Sequence, residues 1–315
     1  MRLRIVVGAL LLAGCASTSA SPSPSLSPSP SPSPTAEPTA SPSPTPIPSP
    51  TPIPLDQEML ARRFTVLVVG ADSDSARRKR GADVNTDALM VVSVSADKSR
   101  IAIVSLPRDV VDIPMPDGSI YHGKINNIAT RLGTETLRGA IATLLNVHID
   151  RYIRVDMDDF QWLVNSVGGI DVEVKTSIAD AHFNFYLQPG LTHLDGLHAL
   201  YYCRTRTDSG GDYARAGRQQ QVILALVRKW LDPGLPALLE AAQHRASLET
   251  DISMDELPTL LEIGRRSANA QVTAAVLQPP RFSYFVGIEP NSIRGWVMIP
   301  NVPEIRAYAA SLMGN

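Results

Sequence analysis

Arginine is concentrated in one stretch of the chain, residues 203–221, which reads CRTRTDSGGDYARAGRQQQ. Arg204 and Arg206 are separated by one residue, a spacing that in an extended segment places both guanidinium groups on the same face. Arginine presents a planar fork of N–H donors that matches the oxygens of a phosphate. This stretch therefore predicts an anion site, and our hypothesis is that the anion belongs to a phosphorylated ligand.

A second arginine-bearing face follows in the same stretch. If a helix begins near Asp212, then Asp212, Arg215 and Gln219 recur at i, i+3 and i+7 and lie on one side of it. Arg218 faces away from that stripe. The Ser-Gly-Gly sequence at residues 209–211 supplies a flexible turn between the two faces. We expect this turn to let both faces converge on one ligand.

Two aspartates lie beside apolar segments that are typical of strands. Asp72 follows the β-branched run at residues 64–70, and Asp87 precedes the run at residues 88–94. Open α/β sheets place ligand sites at strand ends, and Mg²⁺ takes carboxylate oxygens alongside substrate phosphates. An aspartate next to a strand also commonly forms a turn or caps a helix. Spacing alone therefore leaves a metal pair and a local structural role both open.

Two further charged clusters have alternative interpretations. Arg108 and Asp109 follow a third predicted strand, residues 101–106, so Arg108 either contacts the ligand or forms a local ion pair with Asp109. The basic run RRKR at residues 77–80 is either a solvated loop or a surface that attracts ligand phosphate or lipid headgroups. Neither cluster decides the function by itself.

Several common kinds of catalytic site are missing from the sequence. It contains no GxSxG elbow, Walker A loop, HExxH motif or CxxC pair, and its six histidines are scattered without the spacing of metal ligands. Cys203 lies beside Arg204, whose charge can lower a thiol pKa, although a single cysteine after an apolar helix is more commonly a core residue. With Cys15 as the only other cysteine, no disulfide framework is expected.

The elements that must position these residues alternate between strands and helices, which predicts an α/β layered domain. We expect a single domain at residues 61–315, because no internal repeat or second linker interrupts that part of the chain. The predicted strands are residues 64–70, 88–94, 101–106, 151–155, 170–174 and 271–277, with further strand structure between 282 and 298. The predicted helices are residues 134–145, 157–167, 195–202, 212–230, 235–245, 253–267 and 303–313.

The N-terminus has the features of an export signal. Arg2 and Arg4 precede an apolar run at residues 5–12 that is too short to span a bilayer. The sequence LAGC at residues 12–15 resembles the lipobox of bacterial lipoproteins. That resemblance implies a signal peptide at residues 1–14, cleavage before Cys15 and diacylation of its sulfur. A plain secretory signal with an incidental cysteine is the alternative.

Residues 15–60 predict an extended linker that begins at the lipidated cysteine. Fourteen of the chain's 26 prolines lie in residues 16–54, mostly in Ser-Pro and Thr-Pro repeats. Such sequence buries no core and favours polyproline II, in which residues 21–54 reach roughly 100 Å. We expect this linker to tether the domain to a membrane. The formal net charge of −2 also argues against a nucleic-acid partner.

A series of motifs in a fixed order resembles the LytR-CpsA-Psr (LCP) family. The motifs extend over residues 64–230 and read VLVVGAD, TDALMVVSV, IVSLPRD, KIN, LVNSVGGIDVEV, LDGLHALYYCRTR and DYARAGRQQQVI. The resemblance implies an α/β/α sandwich around a mixed central sheet, with a hydrophobic pocket for a prenyl chain. It also implies an extracytoplasmic enzyme that transfers a glycopolymer from a polyprenyl-(pyro)phosphate carrier to peptidoglycan.

The resemblance also implies roles for individual residues. Asp72 and Asp87 correspond to the aspartates of a Mg²⁺ site, and Asp212 corresponds to the aspartate beside the reaction centre. Mg²⁺ and arginines stabilise the charge that develops on a pyrophosphate leaving group, so Asp212, Arg206 and Arg108 are the expected catalytic residues. The expected pyrophosphate-binding residues are Arg108, Lys124, Arg204, Arg206, Arg215 and Gln219.

Departures from the family pattern leave alternatives open. Asn85 stands two residues before Asp87, where many members have arginine, and a member of the basic run such as Arg80 is a candidate substitute. The predicted lipoprotein anchor replaces the usual transmembrane helix. With water as acceptor, the same site would act as a polyprenyl-pyrophosphate phosphatase. Without turnover, it would be a regulatory module that binds polyprenyl phosphate.

Overall fold

The structure is a computed structural model and describes residues 54–80, 84–207, 210–231, 236, 239–240, 243, 248–290 and 292–314. The predicted signal peptide, Cys15 and the predicted linker up to residue 53 lie outside the described residues. Most of the helix predicted at residues 235–245 does so as well. Residues 57–60, which the prediction assigned to the linker, are helical, and Met59 and Leu60 are buried in the domain. Residues 51–315 cluster as one unit around a central sheet.

Strands and helices alternate along the described chain as the sequence predicts. In order they are α1 (Gln57–Ala61), β1 (Phe64–Ala71), α2 (Ser75–Lys79), β2 (Thr86–Val94), β3 (Arg100–Ser105), β4 (Ile113–Pro114), β5 (Ile120–Tyr121), α3 (Ile128–Leu132), α4 (Thr134–Leu145), β6 (Arg151–Val155), α5 (Met157–Ser166), β7 (Ile170–Val174), β8 (Ile178–Asp180), β9 (Phe185–Leu187), β10 (Gly190–Leu194), α6 (Gly196–Arg204), α7 (Gly211–Leu231), β11 (Glu249–Thr250), α8 (Leu257–Arg266), β12 (Gln271–Val276), β13 (Ser283–Ile288), β14 (Trp296–Pro300) and α9 (Val302–Met313).

The central sheet is mixed, with the strand order β11-β6-β1-β2-β3-β12. Strands β1, β2 and β3 form an antiparallel meander, whereas β6 pairs in parallel with β1 and β12 pairs in parallel with β3. Antiparallel neighbours need only short turns, while parallel neighbours need long crossovers that run through helices. The meander therefore comes first in the chain, and the strands at its two edges are added after helical segments.

Side chains alternate between the two faces of β1 and contribute to two different layers. Leu67 and Val69 are fully buried in a core that residues of α3, α4 and α9 complete. Val66 points to the opposite face, where Met59 of α1 and Ile263 of α8 pack beside it. Helices therefore cover both faces of the sheet, and the predicted α/β/α sandwich is confirmed.

Some local predictions are wrong or incomplete. Helix α6 continues through Arg204, so this residue does not lie in an extended segment; the chain becomes extended at Thr205. Part of the predicted polar loop forms α2, because the side chain of Asp74 accepts from the N–H of Arg77 and caps a short helix. The hairpin β8–β9 was not predicted, since strands of three residues carry too little periodicity to be recognised.

A C-terminal hairpin, β13–β14, packs against the segment that follows β3. The N–H of Met298 donates to the carbonyl of Asp109 at 3.0 Å, and the carbonyl of Met298 accepts from the N–H of Val111 at 3.1 Å. At the turn of the hairpin, Arg294 pairs with Glu289 at 2.6 Å. These contacts fix β14 beside the predicted site residues at the end of β3.

Candidate active site

An apolar cavity of about 570 Å³ lies between the central sheet and helices α5, α6 and α7. Val68 and Met90 contribute from the sheet, and Phe160, Leu200 and Leu226 contribute from the helices. Walls of this composition remove an apolar ligand from water and offer few partners to a polar one. The hydrophobic pocket that the sequence resemblance implied is therefore present in the fold.

Charged and polar side chains border the apolar cavity near the ends of β1 and α6. They come from segments that are distant in sequence, namely the end of β1, the start of β2, the segment after β3, the end of α6 and the start of α7. The fold therefore assembles most of the predicted site in one place. The predicted residues that line the apolar cavity are Asp72, Asp87, Arg108, Arg204, Arg206, Arg215 and Gln219.

A β-bulge brings Asp72 and Asp87 to the same cavity. The ladder between β1 and β2 shifts register between Gly70 and Ala71, which leaves Asp87 as the extra residue on β2. Beyond the bulge, the N–H of Asp72 donates to the carbonyl of Asn85 at 2.8 Å and holds the two segments together. A bulge bends its strand and re-aims a side chain, and here both carboxylates line one cavity as a result.

Asp72 is held by two arginines. Arg77 Nη1 lies 2.5 Å from Asp72 Oδ2 and also donates to the Asp72 carbonyl at 2.8 Å, while Arg204 Nη2 lies 3.8 Å from Oδ1. Arg77 is the first residue of the basic run, so the run does supply a cation to the site. The structure places Arg77, rather than the suggested Arg80, beside the aspartate predicted to bind metal.

Arg108 contacts three aspartates at once. Its Nη1 donates to Asp87 at 2.8 Å, and its Nε lies 3.5 Å from Asp109 and 3.8 Å from Asp212. Burial alone would lower the pKa of Arg108, but the three carboxylates outweigh burial, and the pKa is raised. Arg206 Nε reaches Asp212 from another side at 2.8 Å. Arg108 therefore does form an ion pair with Asp109, and it also belongs to the larger site.

Arg215 is buried but incompletely paired. It is only 6% exposed, and its contacts to Asp87 and Asp212 are both 3.8 Å, too long for hydrogen bonds. Its Nε is buried without a hydrogen-bond partner among the described residues. Burial lowers the pKa of Arg215 although Asp212 and Asp87 act in the opposite direction. A buried guanidinium with unused donors favours the binding of an anion.

Cations outnumber carboxylates in both groups of ion pairs at this site. Asp72 contacts two arginines, so one positive charge is in excess there. The second group likewise carries one excess positive charge among the described residues, and such an excess attracts multiply charged anions. Its members are the carboxylates of Asp87, Asp109 and Asp212 and the cations of Arg108, Lys124, Arg206 and Arg215.

A second cavity of about 660 Å³, which we call the outer cleft, adjoins the apolar cavity. Asp212 and Lys124 line the outer cleft and not the apolar cavity, and Lys124 Nζ donates to Asp109 Oδ1 at 2.6 Å. Lys124 therefore shares the outer cleft with Arg108, Arg215 and Gln219 but not with Arg204 and Arg206, which line only the apolar cavity. Four residues line both cavities and form what we call the shared wall: Asp87, Arg108, Arg215 and Gln219.

The stripe predicted on α7 is confirmed. The helix begins at Gly211, whose φ of +53° lies in the left-handed region that glycine adopts without strain. Asp212, Arg215 and Gln219 all line the outer cleft from this one face of the helix. Arg218, as expected, points elsewhere and is not among the residues that line either cavity.

Cys203 is a core residue. It is 9% exposed, and burial raises the pKa of its thiol to about 12, although Arg218 and Arg215 act in the opposite direction. A thiol in this state holds almost no thiolate at neutral pH, so it is a poor nucleophile.

Comparison with known proteins identifies the family. The sequence profile described as the LytR_cpsA_psr family matches residues 41–287. The chain belongs to the LytR_cpsA_psr family.

Two curated relatives of the chain are named as teichoic acid transferases. The chain is 32% identical over 226 residues to the polyisoprenyl-teichoic acid–peptidoglycan teichoic acid transferase TagU of Enterococcus faecalis, covering 70% of this chain and 71% of the relative. It is 30% identical over 214 residues to the enzyme of the same description, TagV, from Bacillus subtilis. That match covers 65% of this chain and only 54% of TagV.

A solved structure shows the same fold. The crystal structure of Bacillus subtilis TagV superposes with a TM-score of 0.61 at 23% identity, covering 80% of this chain and 98% of that one. Like the LytR_cpsA_psr match, it supports one mixed-sheet domain with flanking helices. No helix among the described residues has both the length and the apolar character needed to cross a membrane.

The sequence did not predict two residues that contact the candidate site. Arg77 was not singled out from its basic run, although it directly contacts Asp72. The ring of Phe183 lies 5.3 Å from the guanidinium carbon of Arg204 and supports it by a cation–π contact. Phe183 lies in the short turn between β8 and β9, which has no helical or strand periodicity, so the sequence gave no signal for its contact with Arg204.

Proposed function

We propose that this chain transfers a glycopolymer from a polyprenyl-(pyro)phosphate carrier to peptidoglycan, as a phosphotransferase of LCP type. The observation that carries the proposal is an apolar cavity bordered by arginines, one of which, Arg215, is buried and incompletely paired. A polyprenyl pyrophosphate has the complementary parts, an apolar chain and a multiply charged head. The two curated relatives, which are named as teichoic acid transferases, support the reaction type.

The carrier lipid binds with its two parts in different surroundings. The prenyl chain occupies the apolar cavity, where each buried methylene contributes about 0.8 kcal/mol. The pyrophosphate lies at the shared wall and accepts hydrogen bonds from Arg108, Arg204, Arg206 and Arg215. Such charge-assisted bonds are the strong class of hydrogen bond, and the unused donors of Arg215 provide them without breaking existing ones. Gln219 adds a neutral donor beside them.

The proposed reaction replaces one P–O bond with another. A hydroxyl of peptidoglycan attacks the phosphorus that carries the sugar, and the bond from that phosphorus to the bridging oxygen breaks. Polyprenyl phosphate leaves with the electron pair, and the glycopolymer becomes joined to the wall by a phosphodiester. Asp212 receives the proton of the hydroxyl, while Arg206 and Arg108 stabilise the charge that develops on the bridging and non-bridging oxygens.

Asp72 and Asp87 fit a site for Mg²⁺ that a phosphorylated ligand completes. Both carboxylates line the apolar cavity, and Mg²⁺ is commonly held by one or two carboxylates together with substrate phosphates and water. The described residues contain no group of three or more His, Cys, Asp or Glu that could hold a metal without such help. The ion would supply positive charge opposite the pyrophosphate oxygens. Arg77 and Arg108 now pair with these two carboxylates and would compete with it.

The membrane is the other proposed partner. We place the domain outside the cytoplasm, tethered through a diacylated Cys15 and the proline-rich linker at residues 16–54. The lipobox-like LAGC sequence supports the anchor. A carrier lipid that resides in the membrane supports a tethered enzyme, since a linker of roughly 100 Å lets the domain reach both the bilayer and the wall.

Transfer to purified peptidoglycan tests the proposed function. The full-length protein is incubated with a polyprenyl-pyrophosphoryl saccharide, Mg²⁺ and peptidoglycan, and saccharide fixed to the wall is the expected product. Chelation of the metal should abolish transfer, and added Mg²⁺ should restore it. Arg206→Ala should lose activity, whereas Arg266→Ala, which removes a half-exposed arginine of α8, should not.

Other outcomes of this assay would replace the proposal. Free saccharide phosphate without a wall product would assign the chain as a phosphatase. Tight lipid binding with neither product would assign it as a binding module. Full activity of Arg206→Ala would contradict the assignment of Arg206 to the catalytic site.

A further inference from the structure

The outer cleft contains an aromatic side chain that the proposed reaction has not used. Trp296, the first residue of β14, lines this cleft together with Asp212 and Lys124 and is 43% exposed. It lies beyond residues 41–287, the part of the chain that matches the family profile. Trp296 belongs to the C-terminal hairpin β13–β14.

The hairpin holds Trp296 in a fixed place. Two residues before it, Arg294 pairs with Glu289 at 2.6 Å and with Asp112 at 2.9 Å. Two residues after it, the N–H of Met298 donates to the carbonyl of Asp109 at 3.0 Å. A backbone anchored on both sides of a residue costs less to order when a ligand binds, which favours a binding role for that residue.

Trp296 lies at the exposed end of the hairpin ladder. It pairs with Ile288, which is 71% exposed, and the next pair on the same face is Met298 with Val286. Met298 is fully buried, and Val286 packs against the same core as the central sheet. Trp296 therefore lies where the hairpin leaves the core, and it lines the outer cleft there.

The geometry of phosphoryl transfer gives the outer cleft a specific role, and this step rests on the proposed function. Attacking and leaving oxygens lie roughly in line across the phosphorus. The leaving polyprenyl phosphate is on the side of the apolar cavity. The attacking hydroxyl must then approach from the opposite side of the shared wall, which is the outer cleft, where Asp212 is available to receive its proton.

We infer that Trp296 is a binding platform for the acceptor glycan, with a hexopyranose ring of peptidoglycan stacked on its indole. A pyranose presents a flat face of C–H groups and a rim of hydroxyls, and an indole presents a flat apolar face with one N–H donor. The polar rim of such a sugar meets suitable partners in the same cleft, namely the Lys124–Asp109 pair and the hydroxyl of Tyr213.

Steady-state kinetics with a soluble peptidoglycan fragment tests the inference. With the full-length protein and saturating lipid donor, Trp296→Ala should raise the KM for the fragment about tenfold, the size of effect expected for a lost aromatic stack with its contact area. The kcat and the Kd for the donor lipid should stay within about twofold of wild type. Trp296→Phe keeps a flat ring and should recover most of the loss.

Tyr284→Ala is the matched control. Tyr284 is an aromatic residue of the same hairpin, is 68% exposed and is not among the residues that line the cleft, so its removal should leave the acceptor KM unchanged. An unchanged acceptor KM in Trp296→Ala would overturn the inference. An increase confined to the donor Kd would also overturn it, because the ring would then hold a sugar of the donor.

Direct binding separates failure of this inference from failure of the proposed function. Calorimetric titration of the fragment into wild type and Trp296→Ala needs no turnover. Fragment binding that depends on Trp296, in a wild type that transfers nothing, would support the platform and contradict the transferase. Transfer by wild type, together with equal fragment affinity of wild type and Trp296→Ala, would support the transferase and contradict the platform.

Discussion

Two sides of helix α7 carry an arginine with the same burial and different surroundings. Arg215 is part of the shared wall, and Arg218, three residues later, faces the end of α6. Each is 6% exposed. Arg218 donates from Nε to the carbonyl of Tyr202 at 2.9 Å and from Nη2 to the carbonyl of Thr205. Arg215 reaches its aspartates only at 3.8 Å and has a buried Nε without a hydrogen-bond partner among the described residues.

The difference separates a structural arginine from a functional one. A buried cation is expensive, and the protein offsets that cost for Arg218 with backbone carbonyls that hold the end of α6 against α7. For Arg215 the cost is offset only in part by the protein, which leaves donors for a ligand. Of these two arginines, Arg215 is therefore the one with donors left for a ligand.

Arg215→Ala should abolish most activity and leave stability nearly unchanged. We expect kcat/KM for transfer to fall about 10²- to 10³-fold, the range for losing one charge-stabilising donor. The free energy of unfolding should change by less than about 1 kcal/mol, because Asp87 keeps Arg108 and Asp212 keeps Arg206 as partners. Transfer kinetics and denaturant titration measure the two quantities.

Arg215→Lys is the control for charge. It keeps the cation but loses the planar fork, so it should recover only a small part of the activity. A large loss of stability in Arg215→Ala would show that Arg215 is structural, and the contrast with Arg218 would fail.

Arg218→Ala should lose stability and keep the substrate affinity of the folded protein. It leaves the carbonyls of Tyr202 and Thr205 without their charged donor and removes a guanidinium that lies 5.8 Å from the Tyr202 ring. We expect a loss of about 3 kcal/mol in the free energy of unfolding, while the KM values of the folded fraction stay near wild type. Denaturant titration and kinetics at low temperature, where the variant is folded, measure both. Unchanged stability would contradict the structural role.

Filling the apolar cavity should weaken binding of the prenyl chain and leave binding of the phosphate head nearly unchanged. Ile223 of α7 lines this cavity and is partly exposed to it, so Ile223→Trp places bulk where the prenyl chain would lie. We expect the affinity for a long-chain polyprenyl phosphate to fall about 30-fold, which corresponds to two or three methylenes no longer buried. The affinity for a short-chain isoprenyl pyrophosphate should change little. Equal losses for both lipids would indicate a disturbed site rather than a blocked cavity.

The smallest expected effect concerns Cys203, whose thiol lies near Arg215 and Arg218. Its pKa is raised from 9.0 to about 12, so the folded state holds the proton more tightly than the unfolded state does. The stabilisation from this group is fully present below pH 9 and is lost between pH 9 and about 12, at about 1.4 kcal/mol per pH unit. Cys203→Ala should therefore lose stability less steeply than wild type when denaturant midpoints are compared from pH 8 to 10.5. Parallel slopes would contradict the raised pKa.

Local patterns were sufficient to predict most of the fold and much of the site. Apolar runs and helical periodicity depend on neighbours in sequence, so strands β1 to β3 and helices α4, α5 and α7 lie where they were expected. The stripe of Asp212, Arg215 and Gln219 follows from helix geometry alone. Those three side chains do share one cleft, so the prediction holds.

Contacts between distant segments could not be predicted in the same way. The bulge at Asp87 depends on how β2 pairs with β1, and the sequence of β2 carries no mark of it. Arg77 was indistinguishable from its basic neighbours until α2 placed it against Asp72. Trp296 was predicted only within a broad region of strand structure, because its position in the outer cleft depends on hydrogen bonds between β14 and the segment after β3.

If the apolar cavity and its arginines hold a polyprenyl phosphate or pyrophosphate as one ligand, native mass spectrometry of the full-length protein with polyprenyl pyrophosphate should detect a one-to-one complex. The complex should form with wild type and with Arg266→Ala, and Arg215→Ala should reduce it at least tenfold. Equal binding by wild type and Arg215→Ala, or no complex with either protein, would contradict the binding of the lipid at this site.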